Sequence, residues 1–239
     1  MDLDGELPHI KTDLGVDFFG IADLSMAREA ILAQGGERVA KYPVAISTGL
    51  TLPHAIVDQL PNRAERVVAM NYRHHAYDVI NQRLDHITSR LSDVVQRAGY
   101  RAFPIPASQI VDEERQIGLF SHKMAAHLAG LGWIGKNCLM ITPEVGPRVR
   151  WATILTDAPL KISGEPVLER CGECVECVEI CPVRAFTGRS FYAEEPREAR
   201  FDAFKCHRYF QKLEENDLKP GVCGMCLYIC PYGRQAGNR

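Results

Sequence analysis

The sequence predicts two domains: a mixed α/β domain over residues 1–165, then a small, cysteine-rich α+β domain over residues 166–239. Three observations carry this reading. Short apolar runs bounded by Gly and Pro alternate with a long helical pattern in the first two thirds of the chain. Eight of the nine cysteines crowd between Cys171 and Cys230. The composition also shifts between Pro159 and Arg170, which marks the boundary.

In chain order, Phe18–Ala22 reads as a short buried strand after a glycine turn, and Tyr42–Ser47 as a second. A helix is expected from Tyr77 to Ala98. Its apolar positions Tyr77, Ile80, Leu84, Ile87, Leu91, Val94 and Ala98 alternate steps of three and four, giving one buried stripe. Gly99 ends it by permitting a left-handed turn, and His86 falls on the solvated face. Pro104 and Pro106 suit an edge segment, since proline cannot donate to a central ladder. A second helix is expected over Leu119–Leu131, followed by the glycine-rich turn Gly130–Asn137. Cys138–Thr142 and Val149–Thr156 read as strands flanking the turn Pro143–Pro147.

Composition excludes several classes. The chain has 239 residues, 46% of them hydrophobic, and a formal net charge of −2. That suits folded domains with a real core and gives no global attraction to nucleic acid or membranes. From Lys161 onward twelve Lys/Arg face twelve Asp/Glu, so no basic tail is present. The acidic opening MDLDGELPHIK lacks an apolar signal region, and no run reaches the roughly 18–20 apolar residues of a membrane helix. A cytoplasmic protein is expected, and a reducing compartment turns eight clustered cysteines from disulfides towards metal.

Their spacing is specific. Cys171-x2-Cys174-x2-Cys177-x3-Cys181-Pro182 is echoed by Cys223-x2-Cys226-x3-Cys230-Pro231, with Cys206 ahead of the second run. A [4Fe–4S] cube needs four converging thiolates, three from a tight loop and one from a distance. In the bacterial ferredoxin pattern the last cysteine of each run serves the other cluster. The expected ligands are therefore Cys171, Cys174, Cys177 and Cys230 for cluster 1. Cys181, Cys206, Cys223 and Cys226 would hold cluster 2. Zinc is the alternative, because paired C-x2-C also builds zinc ribbons, though without the third cysteine and the terminal Cys-Pro. Cys138 falls outside the set and is expected to be a buried strand residue. Two clusters alone would make a ferredoxin, so the residues before them are expected to receive the electrons.

At Ala129-Gly-Leu-Gly-Trp-Ile-Gly-Lys-Asn137 the chain resembles epoxyqueuosine reductase and its cobalamin-dependent relatives, which include the reductive dehalogenases. Cys206-His-Arg-Tyr209 and Gly224-x-Cys226-x3-Cys230-Pro-Tyr232 resemble further motifs of that family, in the same order. The resemblance implies a flavin-reductase-like α/β domain that binds a corrinoid, followed by a ferredoxin-like domain with two [4Fe–4S] clusters. These would reduce the cobalt to its nucleophilic cob(I) state. It places cofactor contacts at Ser121, Lys123, Gly132, Trp133, Ile134, Gly135, Lys136 and Asn137, with Lys136 able to meet a phosphate or carboxamide. A core role for Trp133 in a structural turn is the competing reading.

Two departures bear on substrate. The family's proton-donating Asp would fall near Gln116, with Asp112 or Glu113 as stand-ins after a shift. His122, titrating near neutrality, is the candidate catalytic residue in their place. The family's C-terminal helical-repeat domain, which helps grip tRNA, is not expected after Arg239. The resemblance thus implies a reductase fed by a low-potential donor such as flavodoxin or ferredoxin and acting on a small-molecule or nucleoside-like substrate. Nucleic acid is not expected as a partner. A corrinoid-free electron-transfer protein, with flavin or nothing in its first domain, and a cobalamin-reducing protein are the alternatives.

Overall fold

The computed structural model describes residues 3–215 and 220–237. Two compact units emerge, and each draws on more than one stretch of chain. The first comprises residues 1–50, 81–131 and 150–167; the second comprises 51–80, 132–149 and 168–239.

The first unit is built on a four-stranded sheet. In chain order its strands are β1 (Phe18–Asp23), β2 (Val44–Thr51), β3 (Ala102–Ile105) and, fourth in this sheet, β6 (Val149–Thr156). Their spatial order is β1-β2-β6-β3. The central strands β2 and β6 are buried almost end to end, so they show no in–out alternation, and their small polar residues Ser47, Thr48, Thr153 and Thr156 are buried beside the apolar ones. β3 lies at an edge, antiparallel to β6, with Pro104 opposite Ile154. The proline therefore sits where its missing N–H is tolerated, as expected. Ile31, Val39, Phe120, Ala125 and Leu155 belong to one buried cluster in this unit.

The long helix runs Ile80–Arg97, preceded by a π-helical segment, His74–Val79. Its stripe is Ile80, Leu84, Ile87, Leu91 and Val95, all buried. The expected Val94 is only partly covered. A step of four from Leu91 keeps the side chain on the 3.6-residue face, where a step of three drifts off it. The second helix is shorter than expected, His122–Leu128, because Gly130 takes a positive φ of 78° just beyond it.

In the second unit, β4 (Trp133–Ile134) and β5 (Met140–Ile141) form a small antiparallel hairpin. β5 and β6 were expected to flank one turn as strands. Both strands flank it, β5 cut to two residues; β5 pairs with β4, and β6 joins the four-stranded sheet. Cys138 is buried, but it lies in the turn before β5 at a φ of 55° and not in a strand. Gly132 has a φ of 151°, and a Cβ there would stand 2.1 Å from the Ile141 carbonyl oxygen. Only glycine lets the two strands approach this closely. Helix Arg66–Arg73 supplies this unit with a buried face of Val68, Ala69 and Tyr72.

Candidate iron–sulfur site

Within the second unit, the cysteine segments are positioned by short local devices. Cys174 closes a turn, its N–H donating to the Cys171 carbonyl at 3.0 Å. A one-turn helix, Glu176–Glu179, carries Cys177, and Pro182 follows Cys181. Cys206 sits on helix Ala203–Glu215, whose first turn is held by Asp202 accepting from the Lys205 N–H at 2.9 Å. Cys223 precedes Gly224, which has a left-handed φ of 65°. A Cβ at Gly224 would stand 2.7 Å from Leu60 and 3.1 Å from the Tyr72 hydroxyl. Residues 60–72 thus form the floor beneath this loop. Cys226 lies in the short helix Met225–Tyr228, and Cys230 immediately precedes Pro231.

Electrostatic coupling among the thiols falls mainly into two neighbourhoods. Burial pushes Cys177 up to about 12, and Cys171, Cys230 and Cys174 around it push the same way. Cys206 is raised to about 11 by burial, then by Cys223 and Cys181. Cys226 is raised far above its ordinary value by burial, with Cys223, Cys206, Cys177 and Cys181 as its charged neighbours. Cys230 is raised by burial and feels Cys174. Cys230 thus couples to Cys174 and Cys177, and Cys181 to Cys206 and Cys226. Cys177, felt by Cys226, stands on the side of the first group nearer the second.

Buried thiols crowded in this way are held protonated by desolvation and mutual repulsion. Cationic iron reverses that balance and displaces the protons. Local donors already favour thiolate at some positions. Burial raises Cys171 to about 11, but the Lys136 N–H and the Trp133 indole beside it oppose the rise. Trp133 is fully buried, and its Nε1 has no hydrogen-bond partner. An ionised, iron-bound sulfur at Cys171 would give that orphaned donor an acceptor. Cys223 is raised by burial, and the Arg63 guanidinium beside it works in the opposite direction. Among the described residues no three His, Cys, Asp or Glu side chains converge tightly enough for a single metal ion. The donor set fits two [4Fe–4S] clusters.

The glycine-rich turn packs on these loops. Lys136 is buried and donates from Nζ to the Gly172 carbonyl. Asn137 donates from Nδ2 to the Cys226 carbonyl at 3.0 Å. The Trp133 ring meets Tyr232 edge-on at 4.8 Å, with Arg170 over it at 5.6 Å. Gly135 is crowded by Ile141, whose Cδ1 would lie 2.3 Å from an added Cβ. Within this unit, then, the side chains at 133, 136 and 137 pack on the cluster loops, with Trp133 buried.

Residues of a match on these same segments identify them. A family described as "4Fe-4S double cluster binding domain" matches residues 170–233. The chain is similar to the epoxyqueuosine reductases. It is 29% identical to the Pseudomonas aeruginosa enzyme of that name over 170 residues, 67% of this chain and 42% of the relative. The Cellulophaga algicola enzyme is 26% identical over 195 residues, 77% of this chain and 57% of the relative. The chain thus spans about half the length of these relatives. Solved structures share the fold. An epoxyqueuosine reductase with a modified tRNA-Tyr stem loop matches 97% of this chain and 65% of its own at a TM-score of 0.61 and 19% identity. A reductive dehalogenase studied for B12-dependent dehalogenation matches 96% of this chain and 32% of its own at 0.66 and 19%. The mixed α/β architecture with a ferredoxin-like cluster region is therefore that of these proteins. The expectation against a nucleic-acid partner gains no support from these comparisons, because one of the solved proteins of this fold carries a tRNA stem loop. Among the described residues no helix is long and apolar enough to cross a membrane.

The remaining expected site residues lie in the first unit. Ser121 caps helix His122–Leu128 without a side-chain capping bond, and Lys123 occupies its first turn. His122, at the start of that helix, is held through both ring nitrogens. Its Nε2 donates to the Pro106 carbonyl at 3.0 Å, which leaves Nδ1 to accept from the Thr153 hydroxyl at 2.9 Å. Desolvation lowers its pKa to about 4, so the ring is neutral at pH 7. Asp112, a stand-in for the family's acid, accepts from the Arg115 N–H at 2.9 Å and closes its own turn.

Arg63 and the buried Arg148 have no sequence signature. Arg148 is fully enclosed, donating to Asp58 at 2.7 Å and facing His54 Nδ1 at 3.3 Å. Its Cγ, Cδ and Nε pack against Gly233, just after Cys230.

Proposed function

We propose that the protein is an iron–sulfur reductase. On this reading a low-potential carrier such as flavodoxin or ferredoxin delivers single electrons to two [4Fe–4S] clusters, which pass them to a corrinoid held by a flavin-reductase-like α/β part. What supports it is the crowding of the half-buried cysteines, Cys177 beside Cys171, Cys174 and Cys230, and Cys206 beside Cys181 and Cys223, with the Gly130–Asn137 turn seated on their loops. Residues 166–239 supply the ligands, with 51–80 and 132–149 as their scaffold; residues 1–165 otherwise supply cofactor and substrate contacts.

The chain's own residues do the following. Cys171, Cys174, Cys177 and Cys230 bind cluster 1, and Cys181, Cys206, Cys223 and Cys226 bind cluster 2. Trp133 and Lys136 shield cluster 1 from water and direct N–H groups at it, which favours the more negative reduced state. Arg63 does the same for Cys223. A bound corrinoid supplies a strongly nucleophilic reduced cobalt. Ser121 and Lys123, at the start of helix His122–Leu128, are the contacts that would hold it. The neutral His122, with both nitrogens engaged, orients its helix start and donates no proton. The substrate is a small molecule or a nucleoside, free or within tRNA.

One observation favours a second reading. Gly132 and Gly135 approach Ile141 so closely that this turn is filled by its own hairpin. A corrinoid-free electron-transfer protein, with flavin as the cofactor, needs nothing more from it. Anaerobic reconstitution with iron, sulfide and hydroxocobalamin separates the two. After desalting, one retained cobalt per chain beside reduced-cluster paramagnetic signals supports the reductase. Clusters without cobalt support electron transfer alone.

A further inference from the structure

We propose that the exposed face of helix Arg66–Arg73 is the docking surface for an acidic one-electron carrier protein, and that electrons enter at cluster 2. The inference rests on the electron-transfer reading above and names where the carrier binds.

The helix is two-faced. Val68, Ala69 and Tyr72 are buried, and the Tyr72 hydroxyl abuts the Gly224 position next to Cys223. The opposite face is a stripe at helical spacing: Arg66, Val67, Met70 and Arg73 are all exposed. Val67 is 63% exposed and Met70 50%, unusual for large apolar side chains three residues apart. Arg63, from the preceding turn, reaches the Cys223 thiol. Arg66 and Arg73 thus flank a small apolar centre, with Arg73 also ion-paired to Asp78 at 3.4 Å. Arg and Met are enriched in protein interfaces, and cations suit an acidic partner. A surface that reads phosphates alone has no use for the exposed Val67 and Met70.

Position supplies the second argument. The buried face of the helix floors the Cys223–Cys226 loop, so a carrier on the exposed face stands about one helix diameter, roughly 10–12 Å, from the second group of thiols. The first group lies against Trp133 and Lys136 instead. Cluster 2 is then the entry point and cluster 1 the exit. Each transfer moves one electron: the carrier is oxidised by one and cluster 2 reduced by one, with no proton or bond change.

The test uses the full chain with reconstituted clusters and a reduced plant-type [2Fe–2S] ferredoxin as the probe. Stopped-flow absorbance gives the second-order rate of cluster reduction. In the wild type the rate should fall steeply with added salt. Arg66→Glu with Met70→Glu should slow it at least tenfold, while dithionite reduces the variant's clusters at the wild-type rate. Val67→Ser, a milder change, should slow it less, in the same direction. An unchanged ferredoxin rate in the double variant overturns the proposal. So does a loss of tRNA stem-loop binding with the ferredoxin rate intact, which assigns the face to nucleic acid. Failure of dithionite to reduce wild-type clusters would instead overturn the underlying function.

Discussion

Gly132→Ala should break the hairpin on which cluster 1 rests, and the structure sets the size of the effect. The φ of 151° is one that side-chain-bearing residues rarely adopt, a strain of about 1–3 kcal/mol. The new Cβ would also stand 2.1 Å from the Ile141 carbonyl oxygen and 3.0 Å from its carbon. Both are backbone atoms, so relief requires β4 and β5 to separate, a further cost of about 1–3 kcal/mol by analogy with overpacked cores. The total, about 2–6 kcal/mol, is a large part of the roughly 5–15 kcal/mol that holds a domain together. Anaerobic urea unfolding, followed by far-UV circular dichroism, measures it. Gly99→Ala is the control: its φ is 91°, but nothing lies within 4 Å of the added Cβ, so it carries the backbone strain alone. Gly132→Ala should lose clearly more stability than the control and should retain less iron. Equal losses would refute the close-approach argument and return Gly132 to the role of a ligand-facing glycine.

Other outcomes follow from the same geometry. Arg63→Gln should lower the potential of one cluster and leave the other in place, on the order of tens of millivolts, where ~59 mV is tenfold for one electron; a paramagnetic-resonance redox titration reads it, and Arg63→Lys should restore part of the loss. Asp58→Ala removes the anion from a fully enclosed Arg148 and should cost about 1–3 kcal/mol in thermal or urea unfolding, less than a wholly buried pair because Asp58 is 45% exposed. His122 is neutral in the native state, with a pKa lowered to about 4 from 6.5. The unfolded chain therefore binds the proton first, and stability should fall as pH drops from about 6.5 towards 4, by no more than about 3 kcal/mol. His122→Gln should flatten that part of the profile, and an unchanged slope would remove His122 as its source.

The cysteine runs were the most legible part of the sequence, because their spacing is local and a tight ligand loop leaves few alternatives. Edge placement of Pro104 was equally legible, since a missing N–H is a property of the residue itself. The period of the long helix was read correctly up to Leu91 and slipped at Val94, where steps of three and four are equally compatible with an apolar list. The pairing of β5 with β4 was not legible: runs of two residues carry no periodicity, and the partner depends on Gly132 allowing contact with Ile141. Lys136 and Asn137 showed the limits of a motif. Their residue types suit a phosphate or carboxamide, but their bonds go to the Gly172 and Cys226 carbonyls of distant loops. Arg63 and Arg148 act across 160 and 90 residues respectively from Cys223 and Asp58, and no local pattern announces such partners.

The central claim is that two [4Fe–4S] clusters are bound with crossed ligation, and iron-57 Mössbauer spectroscopy of reconstituted wild-type protein beside Cys230→Ser tests it most directly. The wild type should show about eight irons per chain, all in [4Fe–4S] doublets. Cys230→Ser should lose or alter the cluster of the first run, Cys171–Cys177, and keep that of Cys223 and Cys226. Loss of the Cys223–Cys226 cluster alone would contradict the crossed assignment. A wild-type chain that takes up zinc and no iron would contradict the whole account.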